Sequence, residues 1–392
     1  MASLNRTELQ AVLVISFIIA LRLLGIFLLL PVFSTYAIRY PGASLALVGV
    51  AFGVYPLVQS LLQIPFGWAS DRLGRKNLII IGLVLFSVGS VLGGLSSSIG
   101  QLIAARALQG GGAIGAVAIA ALGDLTRPEV RAQAFTIVGM TIGAAFVIGL
   151  IGGPVLAAHF GFGSLFYILA ALGVVALLVA IVCVPTAKVS SPAKTEVGVR
   201  DFITHESVRR IHVAVLICSF SINLFFFLYP LNWTQFGLEQ ANLWKVYIVV
   251  LLPSLVLVFP YIRQAEKADR LGSAPLIGYL AMTAGFLVYL IGGVNKVPLY
   301  VTGALFFLGY TIYQAILPAF LTQRIPKERR GTALGFYNFA SFLGASLGGM
   351  LAGFLYHFGY RVPLAVGLAL LIAWLFIGLP RSQPRSNIEG IE

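Results

Sequence analysis

The sequence is short of acid. Only 13 of its 392 residues are Asp or Glu, and none of the 13 lies in the middle of an apolar run. Charged residues of both signs make up 10% of the chain, against about 25% in a typical soluble domain. A pair of polar-surfaced soluble domains is therefore excluded. Cysteine is scarcer still. Cys183 and Cys218 each sit in an apolar run, so no disulfide framework or thiolate metal site is implied. The four histidines form no cluster: His159 and His357 fall at helix ends on one side, His205 and His212 near a central polar stretch. An enzyme embedded in a membrane would show a paired acid, a histidine cluster or a metal set at one depth. None is present in the sequence, so the chain reads as a non-enzyme without metal or cofactor.

Apolar residues make up 59% of the chain, and 43 glycines sit largely within the apolar runs. Membrane helices tolerate glycine because it lets helix backbones approach closely. A spanning helix needs about 20 apolar residues. Reading for such runs gives twelve spans, near 11–36, 46–67, 77–98, 100–122, 134–158, 164–185, 211–232, 244–262, 274–294, 297–321, 331–357 and 361–380. The first is too long for a cleavable signal peptide and reads as a span. The fold class is all-α membrane protein, with the twelve helices in two six-helix bundles.

Net charge is +13. The basic residues fall in the gaps between spans, so this charge orients the chain in a bilayer and does not point to nucleic acid. With the N-terminus in the cytoplasm, 20 of the 26 Lys and Arg fall on the cytoplasmic side and four (Arg39, Lys245, Lys296, Arg361) on the other. Arg22 and Arg106 are left inside spans. This bias puts both termini in the cytoplasm; the expected location is the cell (inner) membrane. The longest polar stretch, Thr186 to Arg210, divides the spans six and six. The expected organisation is a bundle over 1–185, a cytoplasmic linker over 186–210 and a second bundle over 211–392.

The halves repeat. Asp71-Arg72-Leu73-Gly74 recurs as Asp269-Arg270-Leu271-Gly272, and His159-Phe160-Gly161 as His357-Phe358-Gly359, both 198 residues on; Arg131 matches Arg330 at 199. Two six-helix halves related by a parallel repeat are a transporter plan, with the substrate site between them at mid-depth.

Gly67-Trp-Ala-Ser-Asp71-Arg72-Leu-Gly74-Arg75-Lys76 joins spans 2 and 3. The glycines permit a tight turn, and Asp71 is placed to cap the following helix. The segment resembles the major facilitator loop signature G-x-x-x-D-R-x-G-R-[KR]. Arg106-Ala-Leu-Gln109-Gly110 resembles that family's R-x-x-Q-G signature on span 4. Gly143, Gly149, Gly152, Gly153 and Pro154 on span 5 resemble its antiporter signature, with altered spacing. With Leu21-Arg22-Leu-Leu-Gly25 and Leu30-Pro31-Val32 on span 1, the twelve-span body is most similar to the YajR-type branch of drug:proton antiporters, without that branch's C-terminal soluble domain. The resemblance implies a cytoplasmic latch of Gly67, Asp71, Arg72, Gly74, Arg75 and Asp124. In it Arg75 pairs with Asp124 and Asp71 meets the start of span 11 near Gly331.

The resemblance also implies a glutamate on span 10 in a Glu-Ala-Leu-Leu-Pro context. This chain has Gln314-Ala-Ile-Leu-Pro318 there. A buried carboxylate of raised pKa is a common proton carrier, and its position here is neutral. The charges left within spans are Arg22 and Arg106, and an intramembrane charge is a functional candidate by default. They favour a neutral or anionic substrate. Pockets combine aromatic walls with a few polar anchors. The cavity candidates are accordingly Arg22, Tyr55, Gln59, Arg106, Gln109, Asn223, Phe226, Asn232, Tyr310, Tyr313, Gln314, Tyr337 and Asn338. The expected function is alternating-access export of a small amphipathic or anionic organic molecule, with protons as the candidate coupling ion. The rival is an importer or uncoupled facilitator on the same fold. Expected partners are the substrate and the lipid bilayer, with the chain acting as a monomer.

Overall fold

Polar residues in the gaps start several of the helices. Asn5 opens the first with a reciprocal capping box: its Oδ1 accepts from the Glu8 amide (2.8 Å) and its own amide donates to the Glu8 carboxylate (2.9 Å). Ser44 and Ser98 cap two more through bonds from the amides three residues on. Such caps satisfy orphan amides at a helix start. In this computed structural model the described residues are 4–127, 129–185, 206–267, 271–323, 325 and 330–377. Most of the 186–210 linker, His205, the Asp269-Arg270 pair of the second loop motif, and both chain ends lie outside them.

The described residues form α1 (Arg6–Leu29), α2 (Phe33–Ala37), α3 (Leu45–Leu73), α4 (Arg75–Leu95), α5 (Ile99–Gly110), α6 (Gly115–Asp124), α7 (Arg131–Phe160), α8 (Phe162–Cys183), α9 (Glu206–Gln235), α10 (Leu243–Lys267), α11 (Ala274–Gly292), α12 (Lys296–Gln323), α13 (Arg330–Leu355) and α14 (Arg361–Ile377). Among the described residues, eleven helical stretches are long and apolar enough to cross a membrane, and the apolar helix Arg361–Phe376 is the shorter twelfth. Two spans expected to be continuous are interrupted. The first breaks between α1 and α2 around Pro31, whose ring cannot donate to the helix ladder. The fourth breaks at residues 111–114, beginning within the Gly110-Gly111-Gly112 run. Strongly exposed apolar side chains such as Val182 (79%) and Phe376 (86%) suit a surface wetted by lipid.

The chain divides into two compact units, Met1–Thr195 with Glu239–Trp244, and Glu196–Leu238 with Lys245–Glu392. In the first, α1 packs on α7, α4 on α5, and α4 on α8. In the second, α9 packs on α13, α11 on α12, and α11 on α14. These are the same pairings shifted by six spans. The repeated His-Phe-Gly marks equivalent turns, with Gly161 at φ 84° and Gly359 at φ 101°. Both glycines occupy the left-handed region that other residues avoid. Arg131 and Arg330 open the equivalent helices α7 and α13.

Candidate functional site

Arg22 on α1, Tyr55 on α3 and Arg106 on α5 meet inside the first unit. Arg22 lies seven residues before the end of α1, and Tyr55 and Arg106 lie ten and seven residues after the starts of their oppositely running helices. At 1.5 Å per residue, all three sit about 10–15 Å from the same end of the bundle. Close backbone packing sets the encounter. A Cβ on Gly110 would come within 2.5 Å of the Tyr55 carbonyl, and one on Gly89 within 2.5 Å of the Gln109 amide. The Gly-rich run thus lets α5 press against α3 and α4, which brings Arg106 onto the Tyr55 ring.

The contacts are specific. Arg22 donates through NH2 to the Tyr55 hydroxyl at 3.0 Å. Hydrogen bonding places the Gln59 amide with its oxygen toward Arg22, accepting from NH2 at 3.0 Å and NH1 at 3.3 Å, while its nitrogen donates to the Tyr55 hydroxyl at 2.7 Å. The Arg106 guanidinium stacks over the Tyr55 ring at 4.5 Å and lies 5.5 Å from the Phe33 ring. Its NH1 donates to the Gln109 oxygen, Gln109 donates to Ser90 at 2.8 Å, and Ser90 donates to the Phe86 carbonyl at 2.6 Å. Phe86 in turn lies 5.8 Å beneath Arg22. Arg22 (3% exposed), Arg106 (4%), Tyr55 (3%), Gln59 and Gln109 (both 0%) are all buried.

Counting donors and acceptors gives this cluster its chemistry. The Gln59 and Gln109 oxygens are taken by the two arginines. The Tyr55 oxygen accepts from Arg22 and from Gln59, which uses both of its acceptor positions. Its own O–H therefore points elsewhere as a donor. The Nε atoms of Arg22 and Arg106 are buried with no partner. Among Arg22, Tyr55 and Arg106 the unused groups are all donors, set beside two positive charges. Such a cluster complements a group that only accepts, namely a deprotonated oxyanion.

Sequence reasoning missed Ser90, Phe33, Phe86 and Gln63. The signal for Gln63 was legible: Tyr55, Gln59 and Gln63 repeat every four residues on α3, the period of one helix face. Gln63 is 2% exposed with both amide atoms unpartnered. Its nitrogen lies 3.4 Å from where a Cβ would stand on Gly115, the first residue of α6.

The candidates of the second unit are more dispersed. Phe226 is packed within an aromatic core against Tyr247, Phe225 and Phe307. Asn232 donates to Tyr289 at 2.6 Å, and Asn223 is turned back onto the Ser219 carbonyl of its own helix at 2.9 Å. Gln314 donates to Tyr310 at 2.5 Å and is exposed. The Tyr313 ring lies 4.7 Å from that of Tyr279. Tyr313 is buried, and Tyr337 is 7% exposed with its hydroxyl unpartnered. Asn338 is half-buried on α13.

At the loop between α3 and α4, Arg75 binds Asp124 (Nε to Oδ2, 3.2 Å), Asp71 and Ser70. The pairing of Arg75 with Asp124 expected from the signature is therefore present. Two details differ from expectation. Gly67 lies inside α3 with open space around it, so only Gly74 makes the turn, at φ 88°. Asp71 stands in the last turn of α3 and binds Arg75, while α4, from Arg75, has Gly74 before it and no side-chain cap. Arg72 stacks on the exposed Trp68 ring at 3.8 Å. Nearby, Glu8, its side chain 6% exposed, clasps Arg127 through Nε (2.8 Å), NH2 (3.0 Å) and the backbone amide (3.0 Å). That hydrogen-bonded carboxylate raises the Arg127 pKa further.

The span 5 glycines act as a contact seam. A Cβ on Gly149 or Gly153 would meet Phe27 at 2.5 Å or the Leu28 carbonyl at 2.1 Å. Pro154 continues α7 just beyond the seam. The second unit repeats it: Gly344 and Gly348, also four apart, face the Leu216 and Phe220 carbonyls at 2.1 and 2.2 Å.

The Major Facilitator Superfamily profile matches residues 15–349 and, in a second match, 268–392. The inner membrane transport protein YajR of Escherichia coli (strain K12) is 33% identical over 334 residues, which cover 84% of this chain and 74% of that protein. The multidrug resistance protein MdtH of Aeromonas hydrophila is 28% identical over 329 residues, covering 82% and 81%. The crystal structure of the human organic anion transporter MFSD10 superposes with a TM-score of 0.72 at 17% identity, over 95% of this chain and 99% of that one.

Proposed function

The chain belongs to the Major Facilitator Superfamily, and from that premise we propose that it is a secondary transporter that exports a small organic anion by alternating access. The donor-only cluster of Arg22, Tyr55 and Arg106 carries this reading. An acceptor-only group bound in this cluster has the unpartnered Nε–H of Arg22, that of Arg106 and the phenol O–H to draw on. A cation would meet two like charges with no mid-span carboxylate to offset them. Bundles over 1–185 and 211–392, joined by the 186–210 linker, are the two rocking bodies. The Asp71, Arg75 and Asp124 contacts act as a latch on the side that carries the excess of Lys and Arg, which is cytoplasmic.

The resemblance to drug exporters favours outward transport, and the neutral Gln314 removes the span 10 carboxylate as the carrier of a coupling proton. The chain's similarity to YajR supports a place in the inner membrane. Thermal-shift measurements on purified protein test the substrate class. Benzoate, succinate, phenyl phosphate and benzenesulfonate are compared with tetraphenylphosphonium and with neutral glucose. Stabilisation by at least one anion, lost in Arg106→Gln, is expected. Stabilisation by the cation alone would overturn the reading. An importer or uncoupled facilitator on the same fold is distinguished by flux in proteoliposomes of known orientation, with and without a pH gradient.

A further inference from the structure

We infer that this transporter is an anion-for-anion exchanger: it turns over readily when each direction of movement carries an anion, and slowly when its site is empty. The inference rests on the anion reading above and extends it to the coupling mode.

The observation is a charge count. Arg22 and Arg106 are both buried, and their hydrogen-bond partners, Tyr55, Gln59 and Gln109, are all neutral. No Asp or Glu in the whole sequence lies mid-span. The described buried acid, Glu8, stands in the first turn of α1 and is committed to Arg127. Guanidinium groups do not give up their protons in proteins, so the empty site carries two positive charges that no group within the membrane balances.

Alternating access requires a step in which the site is closed to water on both sides. In an open state, water and mobile anions reach the charges and screen them. In the closed state they do not, and an uncompensated buried charge is strongly disfavoured. A bound anion cancels one or both charges and leaves the donors at Tyr55 satisfied. The loaded carrier therefore closes easily and the empty one does not. A cycle that must return empty is throttled at that step, while one that returns with a second anion is not. A proton cannot substitute as the returning ion, because it would add to the charge and because the matching Gln314 offers no carboxylate to hold it.

The experiment uses the full chain in proteoliposomes, with whichever of benzoate, succinate, phenyl phosphate or benzenesulfonate stabilises it in the thermal-shift comparison, radiolabelled. Uptake into vesicles preloaded with the same unlabelled anion is compared with uptake into vesicles holding only gluconate-free zwitterionic buffer. Exchange at least about tenfold faster than net uptake is expected, the ratio that a tenfold depletion of the closed empty state produces. In Arg22→Gln, which lowers the empty charge to one, the ratio of exchange to net uptake should fall several-fold. This would hold even where the absolute rate also falls. Equal rates of exchange and net uptake in the wild-type protein would overturn the exchange inference and leave the anion reading standing. Stabilisation by none of the four anions would overturn the anion reading itself, and exchange with it. A ratio unchanged in Arg22→Gln would remove the charge count as its cause.

Discussion

Arg106 lies with its guanidinium 4.5 Å over the ring of Tyr55. The same tyrosine holds Arg22 through its hydroxyl, so one side chain serves two cations through two different faces. The ring face offers its negative quadrupole, and the oxygen its lone pairs. This explains how two arginines share a buried site without an acid between them.

Tyr55→Phe separates the two roles. The ring remains for Arg106, but Arg22 and Gln59 lose their shared acceptor. Leaving buried donors unpaired costs about 1–3 kcal/mol. The expected outcome is a lower melting temperature in the absence of anion, with a larger stabilisation on adding one, because the ligand replaces the lost acceptor. Thermal-shift titration of both proteins reads this directly.

Arg106→Lys should fail where a charge alone would suffice. A lysine ammonium is a compact point charge without the planar face that stacks on Tyr55 while bonding Gln109. Anion transport in proteoliposomes should fall at least about tenfold, the equivalent of about 1.4 kcal/mol. A lysine variant of wild-type rate would show that charge, not geometry, defines the site.

For the latch, Asp71→Asn and Asp124→Asn each remove one of the two carboxylates held by Arg75. These groups are partly exposed, and such pairs are worth about 0.2–1 kcal/mol each. The shift in the conformational equilibrium should therefore be a few-fold, toward the inward-open state. Double-label distance measurements across the cytoplasmic ends of the bundles would show it, and an unchanged distance distribution would count against a latch role.

The glycine seams predict paired effects. Gly153→Ala and Gly348→Ala each drive a methyl group to within about 2.2 Å of a backbone carbonyl, and overpacking of this kind costs about 1–3 kcal/mol. Gly143, also part of the span 5 motif, has nothing within 4 Å of its Cβ position, so Gly143→Ala should be neutral. Melting temperatures of the three variants test whether the motif is a packing device in both halves.

The twelve spans and the six-plus-six repeat were legible because hydropathy and Lys/Arg placement act over whole segments. Even the equivalent turns at Gly161 and Gly359 were visible as a repeated tripeptide. Arg22, Tyr55, Gln59, Arg106 and Gln109 were legible one at a time, as polar groups in apolar spans. Their convergence was not, because it depends on backbone approach at Gly89 and Gly110, which no single-span pattern reports. Gly67 misled for a related reason. A signature glycine was read as a turn former, yet the helix runs through it and turns seven residues later at Gly74. The breaks after Leu29 and Gly110 fall within continuous apolar runs, where hydropathy carries no trace of lost hydrogen bonds.

The Glu8–Arg127 clasp joins residues 119 apart in the chain. Synthesis proceeds at about 5–20 residues per second, so the first turn of α1 waits roughly 6–24 seconds for its partner to leave the ribosome. Through that interval the Glu8 carboxylate stands without the partner that holds it in the finished structure. The opening helix of this protein is therefore clasped only after the first four spans have been made and before α7 and α8 follow, which gives the insertion machinery a defined span of time in which it must hold that helix in place.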